Sequence, residues 1–225
     1  MHKQTKILLV DDHQLIIEGI LSFLKDIDNL EIETVNSCDE AFSKIKTSIH
    51  DNPFHIVFTD LSFDNNNDNA ILDGGESLIK AIQKEEINIK IGVITGHSEI
   101  NRVFNVIHNL NPSAYILKGS CNTDELTFAI QKMLKGEVYY THEIHQKLLK
   151  RALVEIQMDE VAIQILKELP KHAKISNLEG SVKKKDGSLV KVRAIESKLA
   201  KLRTDLQANN NTDLVLKAKE LGIID

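Results

Sequence analysis

The sequence predicts an α/β protein: a doubly wound, five-stranded parallel sheet followed by a small all-α domain. Three observations carry this expectation. In the first 136 residues, five short apolar runs rich in β-branched residues alternate with five amphipathic stretches. From Met158 onward the apolar pattern is helical. Charge also changes sign along the chain. Residues 1–150 hold 14 Lys+Arg against 22 Asp+Glu, a net −8, and residues 151–225 hold 14 against 11, a net +3.

The five runs are "KILLV" (6–10), "EIETV" (31–35), "HIVFT" (55–59), "KIGVIT" (90–95) and "AYILK" (114–118). Such short apolar runs suit strands buried on both faces. Between them, "HQLIIEGILSFLKD" places Leu15, Ile16, Ile20, Leu21 and Leu24 at helical spacing, and "DEAFSKIKT", "GESLIKAIQKE", "INRVFNVIHNL" and "TDELTFAIQKMLKG" behave likewise. The last is expected to be capped by Thr123 and to stop at Gly136. Strict alternation implies parallel strands joined by crossover helices.

After Gly136, "EVYYTHEIHQKLLKRALVEIQ" reads as a connector that turns helical. Then come "DEVAIQILKEL", ended by Pro170, a loop-rich stretch, the basic helix "VRAIESKLAKLR" (192–203), and "NTDLVLKAKELG", capped by Asn211 or Thr212 and ended by Gly222. The expected organisation is 1–137, a linker over 138–157, and 158–225. No apolar run approaches membrane-spanning length and the N-terminus lacks a signal peptide's apolar stretch, so a cytoplasmic protein with no membrane partner is expected. Cys38 and Cys121 form no metal or redox spacing and read as reduced structural thiols.

In an open α/β sheet, ligands bind beyond the carboxyl ends of the strands. There stand Asp11 and Asp12 after the first strand, Asp60 after the third, Thr95 ending the fourth and Lys118 ending the fifth. Three carboxylates and one ammonium call for a compensating cation. Hard oxygen donors suit Mg²⁺. A carboxylate can then act as nucleophile toward a phosphoryl group, while Lys118 and Thr95 neutralise and hydrogen-bond its oxygens.

The segments "LLVDDHQLIIEGI", "VFTD", "VITG" and "AYILKG" resemble the receiver domain of two-component response regulators, a flavodoxin-like fold. The resemblance implies that a sensor histidine kinase phosphorylates Asp60. It implies Mg²⁺ held by Asp11, Asp12, Asp60 and the backbone carbonyl of Ser62, with Thr95 and Lys118 as switch hydroxyl and lysine and Tyr115 as switch aromatic. A phosphatase of the haloacid dehalogenase class would need a second Asp where Ser62 stands. Turnover is therefore expected to be limited to slow loss of the protein's own phosphoryl group, at a rate set by Ser62 and His97, with no other enzyme activity. Receivers reach the next Asp-Gly sooner. Here Asp60 to Asp73–Gly74 spans thirteen residues, across the polar insert Asp64–Asn69. Asp64, Asn66 and Asp68 match calcium-loop spacing, but Asn69 and Gly75 stand where Gly and a bidentate Glu are needed.

Residues 194–224 resemble the end of a LuxR-type helix-turn-helix domain, and "DEVAIQILKEL" and "ISNLEG" occupy the places of its first helix and the start of its second. Together the halves are similar to the NarL/FixJ class of transcriptional response regulators. That resemblance implies DNA as a partner, and a homodimer on phosphorylation or DNA binding, with the last helix (213–221) as a contact. Its base-contacting positions fall on Glu196, Ser197 and Ala200. Around them Lys183, Lys184, Lys185, Lys191, Arg193, Lys198 and Lys201 suit phosphate contacts. "KKKDGSLVKVR" is longer than the family's turn and carries an Asp-Gly hairpin signal. The stripe Ile195, Leu199, Leu202, Leu206 packs on a core whether or not DNA is bound. The alternative is a phosphorylation-controlled adaptor whose output half binds protein.

Overall fold

A computed structural model describes residues 4–64 and 70–224. The insert positions Asn66, Asp68 and Asn69 lie outside the described residues. The chain divides into two compact units, residues 1–98 with 105–142, and residues 99–104 with 143–225. No helix among the described residues is long and apolar enough to cross a membrane.

The first unit is built on a parallel sheet of order β2-β1-β3-β4-β5-β6. Its strands are β1 (Thr5–Val10), β2 (Leu30–Val35), β3 (Ile56–Thr59), β4 (Lys90–Thr95), β5 (Ala114–Leu117) and β6 (Tyr139–Tyr140). Its helices are α1 (Gln14–Leu24), α2 (Cys38–Ser48), α3 (Gly75–Lys84) and α5 (Thr123–Leu134), while α4 (Ile100–Leu110) is divided between the two units at Phe104. Ile7, Leu9, Ile56, Phe58, Ile94 and Ile116 form one buried face with Ile17, Ile20 and Leu24 of α1 and Leu126, Ile130 and Met133 of α5. α2 and α3 pack against each other, as α1 and α5 do. Burial on both faces explains why the strands read as continuous apolar runs.

Two sequence expectations are corrected. The sheet has a sixth strand: Tyr139 and Tyr140 pair with Ala114 and Tyr115, and the Tyr139 amide donates to Ser113 O at 2.9 Å. Two residues are too few to show any period, so the segment reads as a connector. The cap of α5 lies one residue earlier, where Asn122 Oδ1 accepts from the Glu125 amide at 3.0 Å and Thr123 is already helical.

In the second unit α6 (His142–Gln157) precedes α7 (Glu160–Glu168), α8 (Val192–Asp205) and α9 (Asn211–Glu220). Asp159 caps α7, and Asn210 rather than Asn211 or Thr212 caps α9. The expected second helix at "ISNLEG" is a six-residue 3₁₀ run, Ile175–Gly180. Ser176, Asn177 and Gly180 are poor helix formers, and Val182 then turns into the core. The hairpin expected at Asp186–Gly187 forms: Lys183 bridges Leu189, Gly187 has φ +83°, and Asp186 Oδ1 accepts from the Ser188 amide at 2.9 Å. Ile195, Leu199, Leu202 and Leu206 are all buried against Ile165, Leu166, Leu178, Val190 and Leu214, as their spacing predicts.

Asn122→Ala is expected to cost about 1 kcal/mol in urea unfolding, the usual value of an N-cap. Thr123→Ala should cost clearly less, and equal losses would contradict the cap assignment.

Candidate functional site

The strand register creates the site. Val10 lies beside Val35 and Thr59, Thr59 beside Val93, and Thr95 beside Leu117, so five strand ends open on one edge. Residues directly after these positions must converge there. Asp11 and Asp60 are buried, Thr95 is fully buried, and Lys118 opens a short 3₁₀ turn at the end of β5.

Lys118 joins the set. Its Nζ lies 2.6 Å from Asp11 Oδ2 and 2.8 Å from Asp60 Oδ2. Burial pulls the ammonium toward neutrality, but its hydrogen bonds to Asp11 and Asp60 act the other way and prevail, holding its pKa above the ordinary lysine value. The Leu61 amide donates to the other Asp60 oxygen at 2.6 Å. The Asp60 backbone is pinned too, with its amide donating to Val10 O at 3.0 Å and its carbonyl accepting from the Thr59 hydroxyl at 2.7 Å. Gly75, at the start of α3, abuts this backbone: a Cβ there would come 1.8 Å from Asp60 O. Only glycine lets α3 begin so close to the acceptor.

Asp12 points elsewhere. Its Oδ2 accepts from the Asp64 amide at 2.6 Å, at the beginning of the insert. Its Oδ1 is buried without an aligned hydrogen bond, although His13 Nδ1 lies 2.8 Å away. The negative charge of Asp12 raises the His13 pKa. Asp11, Asp12 and His13 each bring one donor atom within 4.8 Å of the others, and among the described residues they are the cluster able to hold a metal ion. Sequence reading missed His13. Its only signal was adjacency to the aspartate pair. Asp60 is outside that cluster, its carboxylate turned to Lys118 and the Leu61 amide. The buried Asp12 Oδ1, approached by His13 Nδ1, and the predominance of hard oxygen donors fit Mg²⁺, which receiver domains bind in an acidic pocket.

His97 gathers the rest. Its Nε2 is 2.8 Å from Ser62 Oγ, its amide donates to Thr95 Oγ1 at 3.4 Å, and its carbonyl accepts from the Tyr115 hydroxyl at 2.9 Å. The Tyr115 ring is fully buried. Burial pushes the Cys38 and Cys121 thiols up to about 12 and about 11, so both stay protonated at neutral pH.

In the second unit, Arg193, Glu196, Ser197, Ala200 and Lys201 share the exposed face of α8, opposite its buried stripe. Lys183, Lys184 and Lys185 are exposed on the hairpin. Lys191 is exposed and 3.1 Å from Glu179. Lys198 differs: it is half-buried, with Nζ 2.5 Å from Asp159 Oδ2 at the cap of α7. Part of its charge therefore serves the domain's own packing. Arg203 likewise donates to Asn211 Oδ1 at 2.7 Å.

Comparison with known proteins places this geometry. Response regulator protein VraR of Staphylococcus epidermidis is 24% identical over 225 residues, covering 97% of this chain and 98% of VraR. Response regulator UvrY of Escherichia coli is 26% identical over 183 residues, covering 76% and 77%. The solved structure of the RcsB response regulator of Salmonella typhimurium superposes with a TM-score of 0.61 at 19% identity, covering 95% of this chain and 97% of RcsB. A structure of two RcsB dimers bound to two parallel DNAs gives 0.59 at 18% identity, covering 97% and 99%. These likenesses extend the two-part fold along the whole chain. The sequence profile of the response regulator receiver domain matches residues 7–131, more than half the chain, and this protein belongs to that family.

Proposed function

We propose that this response regulator is a cytoplasmic transcription regulator controlled by phosphorylation of Asp60 by a sensor histidine kinase. The observation that carries the reading is the Lys118 ammonium bridging Asp11 and Asp60 at the open edge of the sheet. Asp60 is the acceptor in this reading: its carboxylate faces the Lys118 ammonium and the Leu61 amide, and its backbone is held against β1 and closely approached by Gly75 of α3. Asp11, Asp12, Asp60 and the Ser62 carbonyl would hold Mg²⁺, which supplies charge neutralisation for the incoming phosphoryl group. Thr95 and Lys118 bind the phosphoryl oxygens. Tyr115 follows Thr95 through His97, whose amide and carbonyl touch both. Ser62 and His97, hydrogen-bonded beside the acceptor, set the rate of its slow dephosphorylation.

Functionally the chain divides into a receiver over 1–137, a linker over 138–157 and an output domain over 158–225. The output domain binds DNA through the exposed face of α8 and the lysine hairpin. Glu196, Ser197 and Ala200 face the base edges, and Lys183, Lys184, Lys185, Lys191, Arg193 and Lys201 face phosphates. Lys198 contributes less because Asp159 holds it. Glu196 is repelled by the backbone and suits only a cytosine N4 donor. A homodimer, formed on phosphorylation or on DNA, would use α9, where Leu216 is exposed. The RcsB dimers seen on DNA support this over a protein-binding adaptor.

Acetyl phosphate is expected to label the wild type, and Asp60→Asn to abolish labelling; retained label would move the acceptor elsewhere. In a chase of the labelled protein, Ser62→Ala or His97→Ala should change the phosphoryl half-life several-fold, and unchanged half-lives would remove that pair from the mechanism. For the output domain, gel shifts on genomic fragments should give sequence-specific complexes. Lys184→Ala and Lys201→Ala should each weaken them and lower the salt slope by about one. Absence of any specific complex, with or without phosphorylation, would contradict DNA binding.

A further inference from the structure

Asp159 performs two tasks with one carboxylate. It is the N-cap of α7, where its Oδ1 accepts the Ala162 amide at 2.9 Å. Its Oδ2 lies 2.5 Å from Lys198 Nζ on α8. The capping bond fixes the carboxylate, and the N-terminus of α7 favours its negative charge. The Lys198 ammonium is therefore met by an anion already held in place.

Lys198 lies between the buried stripe of α8 and its exposed face, one turn before Lys201. A freed Lys198 would thus reach the same stretch of DNA backbone as Lys201. Acids meet two lysines of this region, and the two pairs differ. Lys191 is 81% exposed and 3.1 Å from Glu179 of the 3₁₀ run. Such a loose surface pair is worth little, and a phosphate replaces the acid at small cost. Lys198 is only 28% exposed and closer to its acid, which the cap immobilises. A phosphate approaching Lys198 must displace Asp159 and also meets its negative charge.

We infer that Asp159 is a positioning residue that limits the sequence-independent part of DNA binding: it holds Lys198 at the cap of α7 and so withholds one cation from the phosphates. This inference rests on the proposed DNA binding by α8. Asp159 itself touches no DNA. Withholding one phosphate contact lowers retention on arbitrary sequence and leaves a larger share of the affinity to side chains at the base edges.

The test is binding of the full chain to a fluorescent duplex of arbitrary sequence over a range of salt concentrations. Each phosphate contact contributes about 0.9 to the slope of log K against log salt. Asp159→Asn keeps a good N-cap and removes the charge that holds Lys198. It is expected to steepen the slope by about 0.9, which enlarges the loss of affinity between about 50 and 200 mM salt roughly 3- to 4-fold. Lys198→Ala should leave the wild-type slope nearly unchanged, yet cancel the gain when combined with Asp159→Asn. Glu179→Gln removes the same unit of charge at the loose pair and should change the slope clearly less. Asp159→Ser, which also caps, decides the matter if Asp159→Asn fails to fold. An unchanged slope in the Asp159 variant, a gain that survives Lys198→Ala, or an equal gain in Glu179→Gln would overturn the inference. The underlying reading fails separately, if the wild type binds neither this duplex nor any genomic fragment.

Discussion

Everything at the open edge of the sheet depends on one ammonium group. Asp11 and Asp60 end adjacent strands, and their carboxylates would repel each other in a buried setting. Lys118, delivered by β5 from across β4, sits within 2.8 Å of both. Its position is a consequence of register: Thr95 pairs with Leu117, so the next residue emerges level with the acidic ends. A one-residue slip in β5 would send its side chain to the other face and leave two buried carboxylates uncompensated. The same arrangement makes the site responsive. A phosphoryl group on Asp60 would add negative charge where one ammonium already faces two carboxylates, so the new charge calls for a compensating cation.

The core of this site was legible because strand ends are legible. Asp11, Asp60, Thr95 and Lys118 each follow an apolar run, and a parallel sheet brings such residues together whatever the details of its helices. Contacts that join a side chain to distant backbone left no trace in the sequence. Asp39 lies in "SCDEAF", where an acid in a helix's first turn is unremarkable, and it accepts the Ile71 and Leu72 amides from more than thirty residues away. His13 was hidden for a different reason: it adjoins the aspartate pair but sits at the entry to α1, where it looks like part of a turn. The caps were misplaced by one residue because neighbouring polar side chains compete. Asn122 and Thr123 are both good caps, and only the geometry of the Glu125 amide separates them.

The output domain shows the opposite balance. Its apolar stripe on α8 was plain from spacing, yet its second helix is reduced to a 3₁₀ run and followed by a lysine hairpin. This puts three exposed lysines ahead of a helix whose exposed centre is Glu196, Ser197 and Ala200. Affinity on such a surface comes mainly from phosphates, which are indifferent to sequence, and discrimination falls to few side chains. Lys198 illustrates why a count of cations overstates an interface. Its charge is shared with Asp159, which the ion pair keeps ionised by holding its pKa below the usual carboxylate range.

The central claim is that charge added at Asp60 alters DNA binding by the output domain. Fluorescence anisotropy of a bound operator fragment, at one fixed salt concentration, tests it most directly when run with and without acetyl phosphate. Coupling between such sites is typically about 1–3 kcal/mol, so phosphorylation should change the Kd roughly 5- to 150-fold in the wild type and leave Asp60→Asn unchanged. Equal affinities for the phosphorylated and unphosphorylated wild type would contradict the account.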